Sequence, residues 1–385
     1  MKIIHIANFY GPKSGGIRTT VHQLGQGYIR RGHEFILIVP GCAHYVEQTP
    51  NGLRITVPSF RLPFSSGYRI IRSNRNLKKL LSELKPDCIE ISDRFTLSSI
   101  GLWAKSEGIP AVVFSHETLA GLAKKYIPLP INWVVNWHNR RLSNRFSRVI
   151  TTTQFAAREF HEIGTVNISL VPLGVDLTTF SPRARSFKLR HDLSRGAQYV
   201  LLHCGRMSPE KNPSISIEAV AELTRRGHNV RLIFIGQGPM WRRLRNSSRN
   251  LPVTFLGYLA DRHRLANILA SADLFIAPGP IETFCLAALE ALASGTRVIA
   301  SKTSAVGEFL ALDASHALGA VANNDPISFA DAIEKILLEE RDPNYPSWCR
   351  AHAENFSWDR TIDLMLDIHL TEIKHLDPRA LKSFA

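Results

Sequence analysis

The sequence predicts an α/β protein of two tandem, Rossmann-like, doubly wound domains. Three observations predict it. Short runs rich in Ile and Val alternate with amphipathic stretches, the pattern of a parallel sheet covered by helices. The alternation breaks after residue 171 and restarts near 198. The length, 385 residues, suits two domains, each able to bury its own core.

In the first series, strands are expected at Lys2–Asn8, Glu34–Val39, Leu53–Val57, Cys88–Ile91, Ala111–Ser115 and Val149–Thr152. A helix from about Ile17 to Arg31 would carry Val21, Leu24, Tyr28 and Ile29 on one face, with Gly32 closing it. Further helices fit Arg75–Leu84, Leu97–Glu107 and Gln154–Ile163. Val171-Pro172-Leu173-Gly174-Val175-Asp176, then Ser181-Pro182 and a basic, irregular stretch, read as the domain linker. The second series has strands at Tyr199–Cys204, Val230–Ile235, Val253–Leu256, Leu274–Ala277 and Val298–Ala300. Its helices lie near Pro213–Arg226, Pro239–Ser247, Arg262–Ser271, Cys285–Ser294 and Pro326–Glu340. A last helix starts near Trp358, with Ser357 or Asn355 as N-cap and Trp358, Ile362, Met365, Leu366 and Leu370 as its apolar stripe. No strand follows it, so it is expected to pack back on the first domain. The domains are expected at 1–178 and 179–356, facing a central cleft, with 357–385 as the returning helix.

Composition narrows the class. Hydrophobic residues make up 44% and charged ones 21%, which excludes a disordered chain. No apolar run approaches the ~20 residues of a membrane-spanning helix, and the N-terminus does not read as a signal peptide. The five cysteines are odd in number and far apart, with no Cys-x-x-Cys pair, as in a reducing compartment. A cytoplasmic protein is expected.

The net charge of +14 is uneven: residues 1–180 carry 22 Lys plus Arg against 11 Asp plus Glu, and residues 181–385 carry 25 against 22. Much of the excess lies in two segments, 69–85 and 124–148, the second mixed with Trp133, Val134, Val135 and Trp137. Each segment reads either as a solvated helix face or as an anion-attracting surface. No zinc finger, RNP motif or basic zipper accompanies the charge, so nucleic acid is not an expected partner. Contact with an anionic membrane surface is the better functional reading.

The first expected strand leads through Gly11-Pro12-Lys13-Ser14-Gly15-Gly16 into a helix. Glycines there let a ligand approach backbone N–H groups at a helix N-terminus, although a tight turn would use them equally well. The loop is not Gly-x-Gly-x-x-Gly, and the second strand lacks the acidic residue of a dinucleotide site. Gly236-Gln237-Gly238 is only a partial match. In the second domain Gly205-Arg206 and Lys211 follow a strand, and two cations five residues apart suit a diphosphate clamp. Glu282 stands in the loop after another strand and Glu290 lies in the helix that follows. The N–H groups of Phe284, Cys285 and Leu286 are expected at that helix's N-terminus, where donors lack intrahelical partners. Glu290, set among Ala and Leu, calls for a specific partner such as ribose hydroxyls. His116 ends the strand Ala111–Ser115, on the side where parallel sheets bind ligands. No Asp-x-Asp occurs, so no metal is expected on the diphosphate.

Together these parts resemble family 4 of the retaining nucleotide-sugar glycosyltransferases, which have the GT-B fold. The resemblance runs from the Gly15-Gly16 loop through Arg206, Lys211 and Glu282-x7-Glu290 to the Trp358 helix. More narrowly, Ala7–Gly16, Val171–Asp176 and Ala277–Pro280 are similar to actinobacterial GDP-mannose-dependent α-mannosyltransferases acting on membrane lipids such as phosphatidylinositol. The resemblance implies that Arg206 and Lys211 hold the diphosphate and Glu282 the transferred sugar. It gives the N–H groups of Phe284 to Leu286 to phosphate or sugar, and Glu290 to the ribose. His116, Gly15 and Gly16 would line sugar and diphosphate, and Gly205 belongs with the clamp. GDP-mannose is then the donor substrate, with no cofactor and no metal. A lipid-linked acceptor is implied, and with it a peripheral place at the inner face of the cell membrane. A UDP-sugar donor, a soluble acceptor, or a nucleotide-sugar-binding protein without transfer stay open. Family members usually have Gly where Cys285 stands, Ser at Gly279 and Pro at Arg297. A thiol at 285 either crowds the sugar or points away.

Overall fold

The structure, a computed structural model, describes residues 1–11, 15–61, 68–72, 74–127, 129, 131–311, 318–339 and 342–376. Pro12, Lys13 and Ser14 of the glycine loop lie outside the described residues, as do Ser73, Pro128 and Pro130 of the basic segments, Glu340, and the chain after Leu376. The chain divides into two compact units. Unit 1 is Met1–Leu173 with the chain from Trp358 onward, and unit 2 is Gly174–Ser357.

Unit 1 starts with β1 (Lys2–Ile6), α1 (Gly16–Arg30), β2 (Glu34–Gly41), β3 (Tyr45–Thr49) and β4 (Gly52–Pro58). A short pair, β5 (Phe60–Arg61) and β6 (Arg69–Ile70), leads to α2 (Arg75–Leu84). Then come β7 (Cys88–Ile91), α3 (Ser98–Ser106), β8 (Ala111–Ser115), α4 (Leu119–Tyr126) and α5 (Asn132–Ser143). The series ends with β9 (Arg148–Thr151), α6 (Gln154–His161) and β10 (Ile168–Leu170). The sheet order is β10-β9-β8-β7-β1-β2-β4-β3, parallel except for the edge strand β3. Strands buried on both faces read as unbroken apolar runs, which is why β2, β7 and β8 are legible in the sequence. The β3–β4 hairpin is not, because Tyr-Val-Glu-Gln-Thr lies at an exposed edge.

β1 stops at Ile6, short of the expected Asn8. The Asn8 side chain turns across to accept from the Ile71 N–H at 2.7 Å and donate to Asp93 at 2.7 Å, and Phe9 adopts φ 56°. On α1, Val21, Leu24 and Tyr28 are buried as expected, but Ile29 is exposed. Thr20, Gly25 and Gly27 complete the buried face instead, since a 3.6-residue period places Ile29 at its margin.

Unit 2 contains α7 (Phe187–Ser194), β11 (Tyr199–Cys204), α8 (Pro213–Arg225), β12 (Val230–Ile235), α9 (Trp241–Ser247) and β13 (Val253–Gly257). It continues with α10 (Arg262–Ala270), β14 (Leu274–Ala277), α11 (Leu286–Ala293), β15 (Arg297–Ser301) and α12 (Val306–Leu310). It closes with β16 (Gly319–Ala322), α13 (Pro326–Leu338) and α14 (Tyr345–Glu354). The all-parallel order is β13-β12-β11-β14-β15-β16. The basic stretch after Ser181-Pro182 is not wholly irregular. It holds α7, whose N-cap Ser186 accepts from the Leu189 N–H at 3.2 Å.

The last helix, α15 (Trp358–Leu376), belongs to unit 1. It lies so close to α1 that a Cβ on Gly27 would stand 2.0 Å from Ile362. Arg31 pairs with Asp363 at 2.8 Å and Arg148 with Glu372 at 2.5 Å. Leu370 is only partly buried, and the inward stripe instead includes Thr361, His369 and Glu372.

Candidate active site

In an open parallel sheet, ligands sit beyond the strand C-termini where the strand order reverses. In unit 2 that point lies between β11 and β14, which pair through Leu201 and Leu274. The loops after these two strands carry the candidate residues.

After β11 the chain passes Gly205 and Arg206, makes a single 3-10 turn over Pro209–Lys211, and enters α8 through Asn212 at φ 45°. Asn tolerates this left-handed conformation better than most residues. The loop after β12 seats the turn. The Met240 N–H donates to the Met207 carbonyl at 3.0 Å, and Cβ atoms on Gly236 and Gly238 would stand 2.0 and 2.3 Å from the Gly205 and Met207 carbonyl oxygens. Gly236-Gln237-Gly238 therefore has a packing role. Gly205 differs: among the described residues a Cβ there meets nothing within 4 Å, and the same holds for Gly15 in unit 1. Packing does not require glycine at either position.

Lys211 Nζ makes a short ion pair with Glu282 Oε1. Burial opposes the ammonium charge, but the Glu282 carboxylate holds its pKa above the ordinary lysine value. The Glu282 side chain folds over Gly279, where a Cβ would come within 2.9 Å of Oε1. Arg206 is exposed at the start of the same turn.

α11 begins at Leu286, with Cys285 in the flanking position at φ 68°, ψ 73°. The Ala288 N–H is already taken by the Cys285 carbonyl at 3.0 Å. Burial pushes the Cys285 thiol up to about 12, with Glu282 adding to the shift and Lys211 opposing it, so the sulfur is neutral and belongs to this cluster. Phe284 is buried, packed against Phe309 and Phe356.

Glu290, one turn into α11, is buried and accepts from Arg262 Nη2 at 2.8 Å. Burial raises its pKa despite Arg262, and Asp176 adds to the rise. Arg262 lies over the Phe180 ring at 4.6 Å. The sequence reading passed over Arg262. The available signal was a cation in the first position of a helix, right after the N-cap Asp261, where the helix dipole disfavours it.

In unit 1 the order reverses between β1 and β7, and the Asn8–Asp93 bond ties the loops that follow them. Gly15 precedes α1 and Gly16 is its first residue. His116, just past β8, lies 3.1 Å from Ser92 Oγ and is stacked on Phe114 with the rings 4° from parallel. Burial lowers its pKa to about 3, helped by His5 and Arg94, so the ring is neutral near pH 7. Arg94 pairs with Glu159 at 2.8 Å and donates to the Glu117 carbonyl at 2.6 Å, which anchors the loop bearing His116. Glu90, fully buried, accepts from Tyr28 at 2.6 Å, His5 at 2.6 Å and His369 at 2.7 Å. This network was also missed; its signal was an acid and a histidine inside otherwise apolar strands. Among the described residues no group of three or more His, Cys, Asp or Glu gathers to hold a metal ion.

Residues 186–353 match the family model described as Glycosyl transferases group 1, and residues 14–179 match Glycosyltransferase Family 4. A Mycobacterium tuberculosis protein is 42% identical over 369 residues, 95% of each chain. Its description is GDP-mannose-dependent alpha-(1-6)-phosphatidylinositol dimannoside mannosyltransferase. The chain belongs to the family 4 glycosyltransferases. A Corynebacterium glutamicum GDP-mannose-dependent alpha-mannosyltransferase is 28% identical over 78% of this glycosyltransferase and 72% of its own length. Among solved structures, sucrose-phosphate synthase from Thermosynechococcus elongatus matches with TM-score 0.74 and 20% identity, over 96% of this chain and 98% of that one. Anabaena HepE, solved with UDP, matches with TM-score 0.73 and 18% identity, over 96% and 100%. These neighbours show the GT-B fold.

Proposed function

We propose that this glycosyltransferase moves mannose from GDP-mannose, with retained configuration, to a phosphatidylinositol-type or related glycolipid acceptor. The 42% identity over 95% of a relative described in those terms supports the donor and acceptor. The observation that carries the site is the Lys211–Glu282 pair at the switch point of unit 2. A cation held charged there can meet the diphosphate and stabilise the charge that develops as GDP leaves. Glu282, exchanging part of its hold on Lys211, would take hydroxyls of the transferred sugar. Arg206 would close the clamp from the exposed side, and the N–H groups at Phe284 to Leu286 would meet phosphate or sugar. Glu290, steadied by Arg262, would take the ribose hydroxyls. The open space above Gly205 and Gly15 supports close backbone approach by the ligand. Lining roles for His116 and the Gly15-Gly16 loop belong to the same reading, as does transfer without a metal. A UDP-sugar donor is the second reading, favoured by the likeness to a fold neighbour solved with UDP.

Peripheral contact with an anionic membrane is part of the proposal, and exposure supports one basic segment over the other. In α2, Leu77 and Leu81 are buried in unit 1's own core, so its cations ring a helix whose apolar face is used. On α5, Trp133 and Trp137 are 73% and 56% exposed, near exposed Tyr126, Ile127 and Leu129. Arg141 lies over Trp137 at 5.4 Å, beside a hollow of about 240 Å³ that also takes in His138 and Arg145. Exposed aromatics beside cations are what an anionic lipid interface would meet. Among the described residues no helix is long and apolar enough to cross a membrane.

Calorimetry with GDP, UDP, ADP and their sugar derivatives tests the donor, and radiolabelled transfer to lipid extracts tests the acceptor. Selective binding of GDP and GDP-mannose is expected, and preference for UDP would favour the second reading. Lys211→Ala is expected to lower turnover by roughly 10²–10³, about 3–4 kcal/mol of transition-state stabilisation. Wild-type turnover in that variant would overturn the site assignment.

A further inference from the structure

The hollow at α5 lies wholly in unit 1. It is lined by Phe95 and Ser98 at the entry to α3 and by Trp137, Arg141 and Arg145 on and just after α5. Trp133, Trp137 and Arg141 follow one another at a spacing of four, so they share one face of the helix, and Arg145 continues that spacing past its end. We infer that this hollow is a binding site for the phosphate of an anionic phospholipid headgroup, held by Arg141, Arg145 and Ser98 while Trp133 and Trp137 enter the lipid interface. Such a site deepens the membrane contact proposed above, on which it rests, by giving a diffuse attraction one fixed point.

The charges call for an anion. Arg145 Nη1 donates to Ser98 Oγ at 2.9 Å, and Arg141 lies over the Trp137 ring at 5.4 Å. Among the described residues neither guanidinium pairs with a carboxylate. Glu159, the acid whose charge reaches His138, is taken by the buried Arg94 at 2.8 Å. Burial lowers the Arg145 pKa and the charge of Arg141 adds to the fall, so the two cations stand close enough to repel each other. A phosphate relieves that repulsion, and each guanidinium offers it a planar fork of donors. Ser98 Oγ, which accepts from Arg145, keeps its own hydrogen to give. His138 packs against Phe95 with ring centroids 5.2 Å apart. Burial lowers its pKa, with Arg94 and Arg145 adding to the shift, so its neutral ring is a wall and adds no charge.

Size and rim select the source of the phosphate. At about 240 Å³ the hollow is smaller than the roughly 300–1,000 Å³ of pockets that enclose a whole drug-sized ligand, so it suits a phosphate with a few attached atoms. A free phosphate ion would gain nothing from the exposed Trp133 and Trp137, or from Tyr126, Ile127 and Leu129, exposed shortly before α5. A phospholipid uses both parts, its phosphate in the hollow and its interface around the aromatic rings.

The test uses the full chain, with Trp137 as reporter through the fluorescence that Trp137→Phe loses. Glycerophosphoglycerol, a water-soluble headgroup, is expected to change that signal saturably, and Arg141→Gln to weaken its affinity about fivefold. In co-sedimentation, phosphatidylcholine vesicles carrying phosphatidylglycerol should bind the protein about fivefold better than vesicles given the same surface charge by oleate, which has no phosphate. Arg141→Gln with Arg145→Gln should abolish that preference. Arg141 is exposed, so Arg141→Gln alone, expected to reduce the preference, keeps the test decisive if losing the Arg145–Ser98 bond prevents folding. Equal binding to the two vesicles overturns the inference and leaves a diffuse membrane contact standing. A response to inorganic phosphate as strong as that to the headgroup, without preference between the vesicles, marks a free-anion site and overturns it too. Failure to bind any anionic vesicle would remove the membrane contact itself, and this site with it.

Discussion

At Cys285 the backbone turns into the left-handed region, with φ 68°, although the residue is not glycine. A non-glycine residue there costs about 1–2 kcal/mol, part of which glycine would return through its greater freedom in the unfolded chain. Cys285→Gly is therefore expected to raise stability by about 0.5–1 kcal/mol in urea denaturation, and a loss would show that the thiol's packing outweighs the backbone term. The same geometry gives a physical reason why glycine would suit this position. The thiol lies in the electrostatic company of Glu282, Lys211 and Glu290. Lys211, Glu282 and Glu290 were legible in the sequence because charged residues after apolar strands need partners. Arg262 and the Glu90 network were harder to see. Their partners lie 28 residues away for Glu290, and 62, 85 and 279 for Glu90, so no local spacing reveals them.

Among the elements, α15 adds a fully buried ion pair to its apolar packing in unit 1. His369 on α15 meets Glu90 on β7, and both side chains are fully buried. Because His369 is held near 10, its stabilisation is complete below the unfolded value of about 6.5 and is lost as pH rises from there through about 10. Glu90, held near 2, adds stability that is complete above about 4.5 and is lost as pH falls toward 2. Wild type should therefore lose stability between pH 7 and 10, with a slope of up to roughly 1 kcal/mol per pH unit that His369→Gln lacks. Parallel profiles of the two proteins in denaturant titrations would contradict this. The helix itself was legible from its apolar stripe. The inward Thr361, His369 and Glu372 were not, since polar residues on a buried face look like errors in the stripe until their partners are known.

Across the whole molecule the charge is asymmetric, with the excess in residues 1–180. Net charge bears on association, not on fold. Binding to vesicles containing anionic phosphatidylglycerol should exceed binding to neutral phosphatidylcholine at low salt and weaken toward 0.5 M salt, as screening predicts. Trp133→Ala with Trp137→Ala should weaken it severalfold, while Lys78→Gln with Lys79→Gln should change it little, in co-sedimentation. The reverse ranking would move the contact to α2, and equal binding to both lipids would remove it.

Taken by itself, the sequence determined the α/β class, both parallel sheets, the charge asymmetry and the residues after β11 and β14. These follow from local periodicity and from apolar strands buried on both faces, which one chain segment carries alone. Tertiary structure decided what pairs with what: Lys211 with Glu282, Glu290 with Arg262, and Glu90 with Tyr28, His5 and His369. It also decided that Gly236 and Gly238 serve packing whereas Gly205 and Gly15 do not. A buried charge is tolerable only beside its partner, and which partner arrives is fixed by how distant strands and helices are brought together.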